Sequence, residues 1–267
     1  MDTKTTQHYT ERVKETTSVY NTMKDGGVSS LFPTAFFPGT RILEIGSGSG
    51  RDMSLLLKRG YDAWGIDASG GMIEQSMMDF PELVGRCEQG TLPSETLFFN
   101  GNFDGILCSA VLQHLENDRL FDAAFTLKRN LKKNGRLLLS VPLERDDLNE
   151  EARDPQGRLH IIRHHEEYTL LFERLGFNRI GQRETPDGLG RKGIRWISMI
   201  FELPDAGAVR SIDMIESVIN RDRKTATYKL ALFRALAEIS SQEYNSVKRY
   251  PDGRVGVPLS RIAEKWL

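Results

Sequence analysis

The sequence predicts an α/β fold built on a largely parallel sheet, and three observations carry it. Short apolar runs of strand length alternate with helical patterns across the first 203 residues. Each apolar run is continuous rather than alternating, as expected of strands buried on both faces. The first run, Ile42, Leu43 and Ile45, enters a glycine turn, Gly46-Ser47-Gly48-Ser49-Gly50, and a helix pattern follows with Met53 and Leu55 to Leu57 before Gly60. Strand, glycine turn, helix is the opening of a nucleotide-binding βαβ unit.

Composition sets the limits. The 267 residues suffice for one large core, or one core and a small appendage. Hydrophobic content of 39% and charged content of 27% are ordinary for a globular chain. A net charge of −1 gives the whole chain no bias toward nucleic acid or anionic membrane. The polar N-terminus lacks the apolar segment of a signal peptide, and no run has the length of a membrane span. Cys87 and Cys108 both lie in apolar strand-like runs and are read as buried thiols, so the expected location is cytoplasmic.

The turn itself narrows the ligand. A dinucleotide fingerprint would need a third glycine at position 51 or 53, where Arg51 and Met53 stand. No Gly-Lys-Ser/Thr of a phosphate loop follows either. Glu44 and Asp52 flank the turn, and two carboxylates would repel a pyrophosphate but suit a ligand with an ammonium and a sulfonium.

In chain order, residues 4–24 read as a polar helix with Val13, Val19, Tyr20 and Met23 inward, and Gly26-Gly27 and Pro33 to Gly39 as a linker. Tyr61 to Ile66 is the second strand. It ends at Asp67, 21 residues after Gly46, where a carboxylate can accept both ribose hydroxyls or cap the next helix with Ser69. Gly70 opens a helix with Met72 and Ile73 inward. Leu83 to Cys87 is a third strand, and Phe103 to Cys108 a fourth. Asp118 to Leu131 is an amphipathic helix, and Arg136 to Val141 the fifth strand. Residues 143–165 form a long charged loop at the carboxyl edge of the sheet, holding Arg153, Arg158, His160, Arg163, His164 and His165. Its spacing matches no standard zinc pattern, so no metal is expected, and Arg158 or His160 could contact an anionic substrate. Glu166 to Leu175 is a helix capped by Gly176, Phe177 to Ile180 starts a sixth strand, and Arg195 to Leu203 is a seventh.

Five ordered stretches resemble the class I S-adenosylmethionine (SAM)-dependent methyltransferases: Glu44-x-Gly-x-Gly-x-Gly50, Asp67, Phe103-Asp104-x-Ile with Leu112-x-His114-Leu115, Gly135-Arg-Leu-Leu-Leu-Ser-Val-Pro142, and Leu175-Gly-Phe177. The resemblance spans residues 1–203. It implies a Rossmann-like seven-stranded sheet with the last strand antiparallel, SAM as methyl donor and S-adenosylhomocysteine as product. It places at the cofactor Tyr9, Glu44, Gly46, Ser47, Gly48, Gly50, Asp67, Ala68 and Met72. It adds the loop of Gln89, Gly90, Thr91 and Leu92 at the adenine edge, with Glu88 as the alternative to Gln89, and Cys108 and Ser109 after the fourth strand. The family's usual aspartate is absent from that loop. His114 is either a base or substrate contact, or a structural group of its motif; with Arg158 and His160 it is the substrate-side candidate.

Absences narrow the acceptor. The Asn/Asp-Pro-Pro-aromatic motif of amino-methylating DNA enzymes and the Pro-Cys of cytosine-C5 enzymes are both missing where Cys108-Ser109-Ala110-Val111 stands. A small-molecule substrate is expected. The competing reading is a SAM-binding protein without turnover.

Residues 204–267 form an expected helical appendage, with Ile212, Ile215, Val218 and Ile219 as one stripe and Tyr228, Leu232, Leu236 and Ile239 as another. Between Arg221 and Lys265 ten Lys/Arg oppose five Asp/Glu, a balance of +5 that would permit nucleic-acid contact. The wording from Ala226 to Leu236 resembles a helical segment found beside some bacterial nuclease-type domains.

Overall fold

The structure is a computed structural model, and it describes residues 2–23, 26–205, 234–236, 238–239, 248–249 and 255–266. The chain divides into two units, Met1–Ala206 and Gly207–Leu267. The first holds a seven-stranded sheet of β1 (Arg41–Ile45), β2 (Asp62–Asp67), β3 (Cys87–Gln89), β4 (Phe103–Ser109), β5 (Leu131–Arg145), β6 (Asn178–Pro186) and β7 (Ile194–Glu202). Their order is β3-β2-β1-β4-β5-β7-β6. β1 pairs in parallel with β2 and β4, while β7 lies antiparallel between β5 and β6. The expected sheet, with its last strand reversed, is the one observed.

Period-2 side-chain alternation explains why the buried strands need two cores. Leu43 and Ile45 of β1 join Phe103, Leu139 and Phe172 on one face. Ile42 joins Phe32, Phe36, Leu56 and Leu107 on the other. The helices α4 (Arg51–Lys58), α5 (Gly70–Asp79), α6 (Asn117–Asn130) and α7 (His165–Arg174) cover these faces. Strand order reverses direction at β1, so a crevice opens at the carboxyl ends of β1 and β4.

Several expected boundaries move. The N-terminal helix is two helices, α1 (Thr3–Glu11) and α2 (Val13–Asn21), broken at Arg12. Their buried positions are Thr5, Thr16 and Thr17, whereas Val19 is exposed. Buried threonine hydroxyls are satisfied locally or across, so hydrophobicity alone misplaces this face: Thr17 Oγ1 donates to Lys14 O at 3.3 Å, and Thr5 Oγ1 accepts the Leu159 amide at 2.9 Å. The expected linker holds a short helix, α3 (Phe32–Ala35), whose Phe32 and Ala35 are fully buried. The third strand starts at Cys87, because Pro81–Leu83 is a 3-10 turn. The charged loop is ordered by pairing: a bridge joins Arg153 to Leu159, and Asp154, Arg158, His160 and Arg163 are all buried.

In the second unit, Lys248–Arg249 pairs antiparallel with Val255–Gly256, a helix spans Leu259–Trp266, and Ala235 and Ile239 are buried. Of the two expected stripes, Ile212, Ile215, Val218, Ile219, Tyr228 and Leu232 lie outside the described residues.

Candidate active site

The chain leaves β1 through Gly46, Gly48 and Gly50 at φ of 69°, 52° and 80°, a left-handed run open to glycine at little cost. The Ser47 amide donates to Ile66 O at 2.9 Å and ties the turn to β2. A Cβ on Gly46 would meet Val111 Cγ2 at 2.5 Å, so the segment after β4 lies directly against the turn. A Cβ on Gly50 would meet Leu83 Cδ1 at 2.6 Å and Ser76 Cβ at 2.9 Å. Gly50→Ala should therefore cost about 2–4 kcal/mol, strain and overpacking together, read as a lowered midpoint in urea with unchanged slope. A loss below about 0.5 kcal/mol would contradict the geometry.

Glu44 sits in the middle of this construction. It is 4% exposed, and its Oε2 has no hydrogen-bond partner among the described residues. Burial drives its carboxyl well above the ordinary range; Asp52 and Asp67 add to the rise, and Arg51 opposes it. The buried Ser47 Oγ is likewise without a partner among the described residues. Asp67 closes the far side. Its Oδ2 accepts the Gly48 amide at 2.9 Å and its Oδ1 the Ser69 amide at 2.8 Å. The helix-capping role belongs to Ser69, whose Oγ accepts from Met72 N at 3.3 Å at the start of α5.

The opposite wall is the loop after β5. Asp154 receives Arg158 Nε at 2.8 Å and Nη2 at 2.6 Å, and His160 Nε2 lies 3.2 Å away. Burial would raise the Asp154 carboxyl, but the bonds from His160 and Arg158 outweigh it and hold it well below the usual range. Arg145 pairs with Asp147 at 2.6 Å and lies 3.6 Å from Asp154. Arg158 Nη1 then donates to the hydroxyls of Tyr9 and Tyr20, each at 3.1 Å, so the loop is pinned to α1 and α2.

A cavity of about 830 Å³ runs between these walls, within the range of small-ligand sites. Tyr9, Glu44, Gly46, Ser47 and Gly48 line it, as do Asp67, Ala68, Met72 and Ser109. So do the substrate-side candidates His114, Arg158 and His160. Six expected residues do not: Gly50, Gln89, Gly90, Thr91, Leu92 and Cys108. Leu92 and Cys108 are core side chains, 1% and 0% exposed. The Gly90 amide is spent on Asp67 O at 2.9 Å, and the Gln89 amide group on Ala68 O at 3.0 Å. Thr91 is exposed, and Gly50 faces Leu83 and Ser76.

The cavity also takes residues that sequence reasoning missed: Gln113, Ser140, Arg145, and the β6–β7 hairpin with Arg183, Asp187, Arg191 and Trp196. There Arg191 pairs with Asp187 at 2.7 Å, and the Trp196 indole N–H donates to Asp187 at 3.0 Å. The signal was present in the glycine-rich run Asp187 to Gly193, which marks a turn but not its proximity to the glycine loop.

Comparison with known proteins agrees with this geometry. Residues 21–181 match the methyltransferase domain family. The ubiquinone biosynthesis O-methyltransferase of Schizosaccharomyces pombe is 36% identical over 111 residues, a stretch covering 39% of this chain and 39% of the relative's length. A Burkholderia thailandensis 1,6-didemethyltoxoflavin-N1-methyltransferase, solved with 1,6-didemethyltoxoflavin and S-adenosylhomocysteine, superposes with a TM-score of 0.61 at 18% identity over 75% of this chain and 87% of that one. A TehB-like SAM-dependent methyltransferase from Corynebacterium glutamicum gives 0.53 at 22% identity over 73% and 96%. Residues 208–267 match a domain of unknown function, and this match lends no support to the nuclease-type resemblance expected of the tail. With its sheet order, its glycine turn and the family match over more than half its length, the chain belongs to the methyltransferase domain family.

Proposed function

We propose that this chain is a SAM-dependent methyltransferase acting on a small molecule. The observation that carries it is Glu44: a buried carboxylate at the foot of a left-handed glycine turn, whose Oε2 has no partner among the described residues. Such a group is unstable as an anion unless a cation comes to it. SAM carries an ammonium and a sulfonium, and Asp67, at the adjacent strand end, has lone pairs left for ribose hydroxyls. The residues thus fit the cofactor. Tyr9, Gly46, Ser47 and Gly48 would flank its methionine end, and Ala68 and Met72 its base.

SAM supplies a methyl group already activated by the sulfonium. What remains for the chain is to bind, align and keep water out. The Arg158–Tyr9–Tyr20 bonds serve the second of these by fixing α1 and α2 at the cavity wall. The relatives' names point to different acceptor atoms, oxygen in the Schizosaccharomyces enzyme and nitrogen in the Burkholderia one.

The test is thermal denaturation with S-adenosylhomocysteine. Saturation at about 100 times Kd should stabilise the protein by about 2.7 kcal/mol, with Tm rising logarithmically with ligand. A Tm that ignores both SAM and its demethylated product would end the proposal.

A further inference from the structure

Beyond the glycine turn, the cavity wall contains another buried polar atom with nothing to bond. Gln113 is 0% exposed and lines the cavity, and its Oε1 has no partner among the described residues. Its orientation follows from its neighbour. His114 Nδ1 faces the Leu159 carbonyl, which can only accept, so Nδ1 carries the proton and Nε2 holds a lone pair. The Gln113 amide nitrogen lies 3.4 Å from that Nε2 and donates to it, which leaves the amide oxygen without a partner among the described residues. The opposite flip would set two acceptors against each other.

The turn bearing this pair is held from every side. Arg163 donates to Leu112 O at 3.2 Å and Leu115 O at 2.6 Å. The Gln113 carbonyl accepts the Ile161 amide at 2.9 Å, and the His114 carbonyl the Asp2 amide at 3.3 Å. Both backbone carbonyls are therefore taken, and Gln113 Oε1 remains to meet a ligand. Two residues earlier, Val111 touches Gly46, which brings the turn against the proposed cofactor end.

We propose that Gln113 Oε1 receives an N–H of the methyl acceptor, that the reacting atom is an uncharged nitrogen bearing hydrogen, and that His114 is the positioning residue that aims Gln113. This deepens the methyltransferase reading and rests on it. The nitrogen lone pair forms the N–C bond as the C–S pair returns to sulfur, and the nitrogen's extra proton leaves to water afterwards. No residue need remove a proton before transfer. That suits the wall, because both imidazoles are already engaged, His114 by the Leu159 carbonyl and Gln113, His160 by Arg145 and Asp154. Burial, then His160 at a ring distance of 4.7 Å and Arg158, push His114 down to about 3 against the pull of the Leu159 carbonyl and Asp154. Burial also lowers His160, which is held between Arg145 and Asp154. A hydroxyl acceptor would call on a base, and among the described residues neither imidazole of this wall has a ring nitrogen free to serve as one.

Calorimetric titration of the full chain with sinefungin, a SAM analogue with a primary amine in place of the sulfonium methyl, tests the subsite against S-adenosylhomocysteine as control. Wild type should bind sinefungin at least about tenfold tighter than the control. Gln113→Leu should remove about tenfold of that preference while leaving S-adenosylhomocysteine affinity unchanged, and Gln113→Glu should restore it. His114→Asn should lose part of the preference with the same control affinity. Intact control binding with an unaltered sinefungin preference in Gln113→Leu would overturn the subsite. No control binding in wild type would instead sink the methyltransferase reading. With labelled SAM and a metabolite extract, label on nitrogen supports the acceptor class, and label on oxygen or carbon overturns it.

Discussion

Asp154→Ala should lower the stability of the first unit by about 3–5 kcal/mol, the scale for removing one partner of a buried charge cluster. The Asp154 side chain is 0% exposed and is the carboxylate common to Arg158, His160 and Arg145. Without it the Arg158 guanidinium, 8% exposed, keeps only the hydroxyls of Tyr9 and Tyr20 and the amide of Gln156 as partners among the described residues. For a unit of this size the loss corresponds to a fall in Tm of about 10 °C. Asp147→Ala is the control. Asp147 is 31% exposed at the outer end of the same network and should cost under about 1 kcal/mol. Equal losses in the two variants would refute the assignment of Asp154 as the hub.

Acid should separate the contributions. The Asp154 carboxyl is depressed in the fold, so its contribution is complete above the ordinary aspartate value, near about pH 4, and is lost as pH falls through the folded value. His114 and His160 are also depressed in the fold, both by burial first. The unfolded chain takes their protons first as pH drops below about 6.5, so wild type should begin to lose stability there. Asp154→Ala should flatten the curve below about pH 4 and keep the decline that starts near about 6.5.

These groups show where the sequence was legible. The sheet could be read because the central strands β1, β4, β5 and β7 carry apolar runs and the turns between elements carry glycine, asparagine or proline. Glu44 and Asp67 could be placed because a strand end fixes a side chain to within a residue. The loop after β5 could not. Its arginines and histidines read as a charged loop with Arg158 or His160 free for an anionic substrate, since nothing in linear order says that Asp154 gathers Arg145, Arg158 and His160 around itself. The adenine-edge loop shows the converse. Gln89 and Gly90 have the right spacing, and in the fold the Gln89 amide nitrogen donates to Ala68 O and the Gly90 N–H to Asp67 O. Gln113 was overlooked because its oxygen acquires meaning only through a tautomer that Leu159, 46 residues on, imposes on its neighbour.

Glu44→Gln should move stability and affinity in opposite directions. Burial, then Asp52 and Asp67, raise this carboxyl, whose Oε2 has no partner among the described residues, so its folded value lies above its unfolded one. A carboxyl raised on folding destabilises at neutral pH, where the unfolded chain ionises it freely, and that penalty fades as pH falls through the folded value. The glutamine is nearly isosteric and uncharged, so ligand-free Glu44→Gln should melt higher than wild type at about pH 8 and level with it near about pH 4. S-adenosylhomocysteine keeps the ammonium that Glu44 is proposed to meet. Loss of that charge-assisted bond costs about 1.5–3 kcal/mol, or roughly 10- to 150-fold in Kd. The two readouts guard each other. A variant that melts higher and binds equally well would mean that the carboxylate faces no cation. One that melts lower would mean that Glu44 is already satisfied within the fold, and the argument from its unpaired oxygen would fail with it.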